Sequence, residues 1–100
     1  MARGYVIFSE KVKDAEALSA YVQKALPTIL QSGGKPIVFE PNPEVIEGQW
    51  VGQTVIIEFE SVDAARAWYN SSAYQPLIGQ RQAAADSNAV IVGEFTMPSA

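Results

Sequence analysis

Apolar residues recur along this chain with two different periods. Tyr5-Val6-Ile7-Phe8 is an unbroken apolar run and predicts a strand buried on both faces, with Lys11, Lys13 and Asp14 marking its exit. From Asp14 to Ser32 the period lengthens. Leu18, Tyr21, Val22, Ala25 and Ile29 recur three and four residues apart, which is one stripe of a helix. Asp14 is its expected N-cap, and Glu16 in the first turn suits the helix dipole. Pro27 either kinks this helix or starts a second short one, because proline has no N–H and crowds the preceding turn. Gly33-Gly34 ends it in the left-handed conformation that glycine adopts cheaply. Lys35 to Glu40 predicts a second strand, with Ile37 and Phe39 opposed to Pro36 and Val38, broken by Pro41 and Pro43. Val45-Ile46-Glu47 reads as a short continuation of that strand, and Gly48-Gln49 as a turn before Trp50.

Gln53 to Phe59 is the third predicted strand. Period two places Val55, Ile57 and Phe59 on one face, and Thr54, Ile56 and Glu58 on the other. Which of these faces meets the helices stays open at this point. Ser61 is the expected cap of a second helix with a buried stripe of Val62, Ala65, Trp68 and Tyr69, stopped by Ser71-Ser72. Pro76 opens a further helical piece through Gln80, Arg81 and Ala84. Asp86-Ser87-Asn88 reads as a turn, and Ala89 to Phe95 as the fourth strand.

The order strand, helix, strand, strand, helix, strand predicts an α+β, ferredoxin-like βαββαβ sandwich with a four-stranded antiparallel sheet. Residues 1–96 are expected to form a single domain, with 97–100 as a C-terminal tail. Two helices cover one face of such a sheet. Strands one, three and four are apolar on both faces, so the second face is expected to pack on another copy, giving a homodimer.

Composition narrows the chemistry. The chain is 48% hydrophobic and 18% charged, with a net charge of −4 and no basic block, so nucleic acid is not expected as a partner. Histidine and cysteine are both absent, which removes disulfides, thiolate nucleophiles, His-based triads and most zinc sites. No metal and no cofactor is implied. Acid–base chemistry falls to Glu, Asp, Tyr or Lys. No apolar run approaches the ~20 residues a bilayer span requires, and Met1-Ala2-Arg3-Gly4 leads straight into a strand pattern. A cytoplasmic protein without a membrane partner is the expectation.

Gly4-Tyr5, Tyr21, Gly33-Gly34, Glu47-Gly48-Gln49-Trp50, Ile57-Glu58-Phe59, Ala67-Trp68-Tyr69-Asn70-Ser71, Tyr74-Gln75 and Arg81 are spread from about Gly4 to Gly93. In this order and spacing the chain resembles a known family, the domain of unknown function 1330, within the dimeric α/β-barrel superfamily. The resemblance implies sheets that pair into a barrel across a dimer, and it implies no activity. Relatives in the wider superfamily include cofactor-independent monooxygenases, lactone isomerases and haem enzymes, so the fold does not choose among them. Family members often carry an arginine just after strand two and a basic residue before strand three. Here those regions read Val38-Phe39-Glu40 and Gly52-Gln53-Thr54. If those residues hold an anion in relatives, part of that site is missing.

Candidate chemistry centres on Glu58 and Arg81. Burial without a cationic partner would raise the Glu58 pKa and suit it to proton transfer; a solvated carboxylate, or a structural pairing with Arg81, is the alternative, and Arg81 could equally bridge to Asp86. Arg81 is the arginine placed to hold a carboxylate ligand through both its nitrogens. Tyr5, Tyr21, Trp68, Tyr69 and Tyr74 are candidates to line a small-molecule cleft, Trp68 fitting a core role best and Tyr74 a lining role. Trp50 is a candidate lid or dimer contact. Three functions follow: a binding module for an organic acid or aromatic molecule, a cofactor-independent isomerase or monooxygenase-like enzyme using Glu58 or a tyrosine, and an interaction or stress-associated module with a filled core.

Overall fold

The computed structural model describes residues 2–98, so Met1 and, of the expected tail, Ser99 and Ala100 lie outside the described residues. Four strands and three helices follow in the order β1 (Gly4–Val12), α1 (Ala15–Gln31), β2 (Lys35–Glu40), β3 (Gln53–Phe59), α2 (Val62–Tyr69), α3 (Ile78–Ala84) and β4 (Ala85–Gly93). A short 3₁₀ turn, Gln75–Leu77, leads into α3. The sheet is antiparallel throughout with strand order β2-β3-β1-β4, the ferredoxin-like arrangement.

Cross-strand pairing sorts the sheet into rows. Pro36, Ile57, Val6 and Ile91 form one row, and Phe39, Val55, Phe8 and Ala89 the next. This face carries the core: Val6, Phe8, Ile57 and Phe59 are buried in one cluster with Leu18, Tyr21, Ala25 and Ile29 of α1 and Ala65 and Trp68 of α2. Val55, Ile57 and Phe59 therefore meet the helices, and Ile56 and Glu58 point away. On the opposite face the central row is Val38, Ile56, Ile7 and Val90, all apolar. A flanking row of Glu40, Thr54, Ser9 and Asn88 is polar, and the other holds Lys35, Glu58, Tyr5 and Val92. Among the described residues no helix covers this second face, and Val90 and Val92 are exposed on it.

The helices begin where the side chains offer acceptors. Asp14 Oδ1 accepts from the Ala17 N–H at 3.0 Å, and Ser61 Oγ accepts from the Ala64 N–H at 3.0 Å, each satisfying an otherwise orphaned donor. Pro27 lies inside one continuous α1, with a second short helix ruled out. Gly33, at φ 77°, supplies the left-handed turn after α1.

Four local expectations are corrected. Val45-Ile46-Glu47 is not a strand, because Pro41 and Pro43 lack the N–H donors that would extend the ladder; β2 stops at Glu40. Pro36 and Val38 do not share a face, since a bulge between them shifts the register by one and puts Pro36 on the same face as Phe39. Asp86-Ser87-Asn88 is strand and not turn: β1 runs to Val12 and offers partners, pairing Lys11 with Asp86, Glu10 with Ser87 and Ser9 with Asn88. Tertiary pairing overrides the turn propensity of these residues. For the same reason β4 begins at Ala85, directly after α3, and ends at Gly93 before Phe95.

Candidate functional site

Between α1 and the β1-β3-β2 part of the sheet lies a cavity of about 300 Å³. Its walls are apolar, built by Phe8, Ala25, Ile29, Val55 and Ile57, with Val22, Leu26 and Phe39 among the residues that complete it. Three polar side chains join them: Glu10, Gln53 and Tyr21. Apolar walls with a few placed polar groups are the usual make-up of a small-molecule site.

Glu10 and Gln53 are cross-strand partners, and Gln53 Nε2 donates to Glu10 Oε1 at 2.9 Å. Glu10 is only 4% exposed, an acid held inside the fold at the end of the Val6, Phe8, Glu10 alternation. Gly52 makes that approach feasible. A Cβ there would overlap the Glu10 carbonyl, and the residue sits at φ 76°, in the left-handed region.

Behind the cavity wall lies a chain of hydroxyls. Tyr21 Oη and Tyr74 Oη are 2.6 Å apart, and Arg81 Nη1 donates to Tyr74 Oη at 2.7 Å. Arg81 is 3% exposed, and its guanidinium lies 4.9 Å from the centre of the Phe8 ring, close enough for a cation–π contact. It has no carboxylate partner among the described residues, and its Nε is buried without a hydrogen bond. The carbonyl of Ala84 fixes this end of α3 by accepting from the backbone N–H groups of Lys13 and Asp14 at 2.8 and 3.0 Å. Tyr74 is positioned by Ser71, whose Oγ accepts from the Tyr74 N–H at 3.2 Å and donates to the Trp68 carbonyl at 2.7 Å.

Burial pushes the Tyr21 phenol far above its usual range, with Tyr74 adding to the shift. Burial also raises Tyr74, partly offset by the hydrogen bond with Tyr21 and the charge of Arg81. Both stay protonated where unfolded tyrosine, at about 10, ionises. The stability this represents is whole below that pH and is lost as pH rises above it, by about 1.4 kcal/mol per pH unit for each phenol held neutral. Urea unfolding is therefore expected to weaken less between pH 10 and 11 in Tyr21→Phe than in the native chain. An equally steep loss in both would refute the assignment.

The residues singled out from the sequence divide between the two sides of the sheet. Arg81, Tyr21 and Tyr74 come together on the helix side; Glu58 does not join them. It lies on the uncovered face, across from Tyr5 and Lys35, with its Oε1 3.4 Å from Arg3 Nη1. The expected Glu58–Arg81 pairing is thereby corrected, and the reason is period two: with Ile57 facing the helices, Glu58 must face away. Tyr5 shares that uncovered face and is not in the cleft. Tyr21 lines the cavity, whereas Tyr74 is fully buried behind it. Trp68 is core, and Tyr69 packs edge-on to it at 6.3 Å, beside a separate shallow depression near β4. Trp50 is half exposed, and its Nε1 donates to Thr54 Oγ1 at 2.9 Å on the uncovered side. Glu10 and Gln53 went unrecognised in the sequence, although each continues a helix-facing alternation, Val6-Phe8-Glu10 and Phe59-Ile57-Val55-Gln53.

Among the described residues no helix is long and apolar enough to cross a membrane, and no group of three or more acidic residues, histidines or cysteines is placed to hold a metal ion. No curated protein matches the chain. Solved structures do. RPA0582, a protein of unknown function from Rhodopseudomonas palustris, superposes with TM-score 0.77 at 20% identity, over 97% of this chain and 85% of that one. SnoaB, a cofactor-independent oxygenase from Streptomyces nogalater, gives 0.69 at 12% identity over 100% and 97%. A dimeric ferredoxin-like protein of unknown function from Thermobifida fusca gives 0.63 at 14% identity over 91% and 90%. At such identities the likeness is one of fold. The profile of one family, described as Domain of unknown function (DUF1330), matches residues 3–95, and the chain belongs to that family.

Proposed function

We propose that this protein binds a small, largely apolar or aromatic molecule in the cavity between α1 and the sheet. The observation that carries this reading is the cavity itself: about 300 Å³, walled by side chains such as Phe8, Ile29 and Ile57, with Glu10, Gln53 and Tyr21 among its lining residues. Apolar walls supply affinity through burial, and the polar side chains fix orientation. A cofactor-independent enzyme is the second reading. What favours it is a buried acidic residue, Glu10, and a phenol, Tyr21, lining the same cavity, two side-chain types that serve general acid–base catalysis. The likeness to SnoaB agrees with this reading at the level of fold.

The protein is further proposed to work as a homodimer joined through the uncovered sheet face. The apolar row Val38, Ile56, Ile7 and Val90 with polar residues beside it has the anatomy of an interface, an apolar centre with a polar rim. The dimeric Thermobifida fusca protein of the same fold supports this.

A thermal-shift screen of apolar and aromatic metabolites tests the cavity. A ligand at about 100 times its Kd stabilises the native state by roughly 2.7 kcal/mol, a rise in Tm of several degrees. Val22, exposed at the rim of the cavity, is the control position: Val22→Trp is expected to abolish the rise while leaving the unliganded Tm nearly unchanged. A ligand that stabilises both forms equally would place its site elsewhere.

A further inference from the structure

The hydrogen-bond chain behind the cavity has a direction. A guanidinium only donates, so Arg81 Nη1 gives a proton to Tyr74 Oη, 2.7 Å away. Tyr74 is fully buried, and the hydroxyl oxygen recorded 2.6 Å away is that of Tyr21. Either hydroxyl can donate across that contact; with Arg81 already donating to Tyr74, and no other acceptor for the Tyr74 hydroxyl among the described residues, the arrangement that satisfies the Tyr74 proton gives it to Tyr21. Tyr21 then accepts, and its own proton must find another acceptor. Tyr21 is the member of the chain that lines the cavity.

We infer that Tyr21 donates its hydroxyl proton into the cavity, so that the ligand is an apolar body bearing a carbonyl, enolate or phenolate oxygen seated against it. The inference rests on the cavity reading above and specifies the class of molecule the cavity takes. The charge of Arg81 supplies its driving force. An ionised side chain buried without a carboxylate partner is costly to keep, and here it polarises two phenols in series while resting on Phe8, which is itself a cavity wall. Each hydrogen bond polarises and aligns the next, so the Tyr21 hydroxyl stays protonated and is held in place as a donor. Negative charge developing on a bound oxygen is stabilised through Tyr21 and Tyr74 by a cation that never touches the ligand. Glu10, on the same strand as Phe8, adds an acceptor to the cavity, so a ligand carrying both an acceptor and a donor is bound in one orientation.

Two probes of nearly equal shape separate this inference from the reading beneath it: 2-acetylnaphthalene, which carries a carbonyl, and 2-ethylnaphthalene, which does not. The native protein is expected to bind the ketone about tenfold more tightly, as a hydrogen bond from a polarised donor is worth. In Tyr21→Phe the two probes are expected to bind alike, with affinity for the hydrocarbon retained. Arg81→Gln keeps a donor but removes the charge, and is expected to shrink the preference severalfold. Equal binding of both probes by the native protein overturns the inference and leaves the cavity reading standing. A preference that survives Tyr21→Phe, or is unchanged in Arg81→Gln, also overturns it. If the native protein binds neither probe, and the metabolite screen is also blank, the cavity reading falls and takes the inference with it.

Discussion

Trp68→Ala is expected to remove about 3–5 kcal/mol of folding stability, a large share of the roughly 5–15 kcal/mol that holds a domain of this size together. Trp68 is 1% exposed, with ring-centre distances of 4.0 Å to Tyr74 and 5.6 Å to Phe59. Its Nε1 donates to Thr28 Oγ1 at 3.0 Å, tying α2 to α1. Truncation empties the middle of the aromatic cluster and frees the Tyr74 ring to tilt, so ligand binding is expected to weaken along with stability. Trp68→Phe fills most of the space and loses the hydrogen bond, so it is expected to cost about half as much. Urea denaturation of the three proteins checks the order. A loss below about 1 kcal/mol in the alanine variant would show that the cluster closes over the gap, and that Trp68 does not position Tyr74.

Ile56→Asp is expected to separate the proposed dimer into monomers without unfolding them. Ile56 sits in the central apolar row of the uncovered face, between Val38 and Ile7, where a carboxylate would be buried against a partner with no cation beside it. Leaving a charge unpaired in an interface costs several kcal/mol, enough to weaken association about a thousandfold. In the separated chain the same carboxylate reaches water, and the fold loses only about 1 kcal/mol of strand preference. Sedimentation at tens of micromolar compares the two proteins. A native chain that already runs as a monomer, or a variant that keeps the dimer mass, defeats the assignment of this face.

Much of the fold was legible because period and punctuation agreed. The bounds of β2 and β3 were read correctly, and Asp14 and Ser61 cap their helices as expected, because alternation, proline breaks and capping side chains all pointed the same way. The misreadings arise where a distant strand decides. Asp86, Ser87 and Asn88 carry turn chemistry but lie opposite a long β1, and the bulge after Pro36 cannot be seen in a hydrophobic pattern.

The site was half legible for the same reason. Arg81, Tyr21 and Tyr74 stood out as residues, yet nothing local shows that two helices and a turn bring the three groups within hydrogen-bond reach. Glu58 drew attention as an acid in an apolar strand, while Glu10, the acid that is buried, sat among charged neighbours at a strand end. A single residue of offset along a pleat decides whether an acid faces the helices. Only the burial of Val6 and Phe8 reveals it.

The placement of the two tryptophans has a practical consequence. Trp68 is enclosed by aromatic rings on the helix side, and Trp50 is 52% exposed and held to Thr54 on the other. Intrinsic fluorescence from one sample therefore has two origins, a blue emission from the dry indole and a red one from the wet. Unfolding moves the first toward longer wavelength, and pairing of two copies through the proposed face, where it covers Trp50, is expected to move the second toward shorter. Melting and the proposed pairing would then be told apart by colour, with no dye attached.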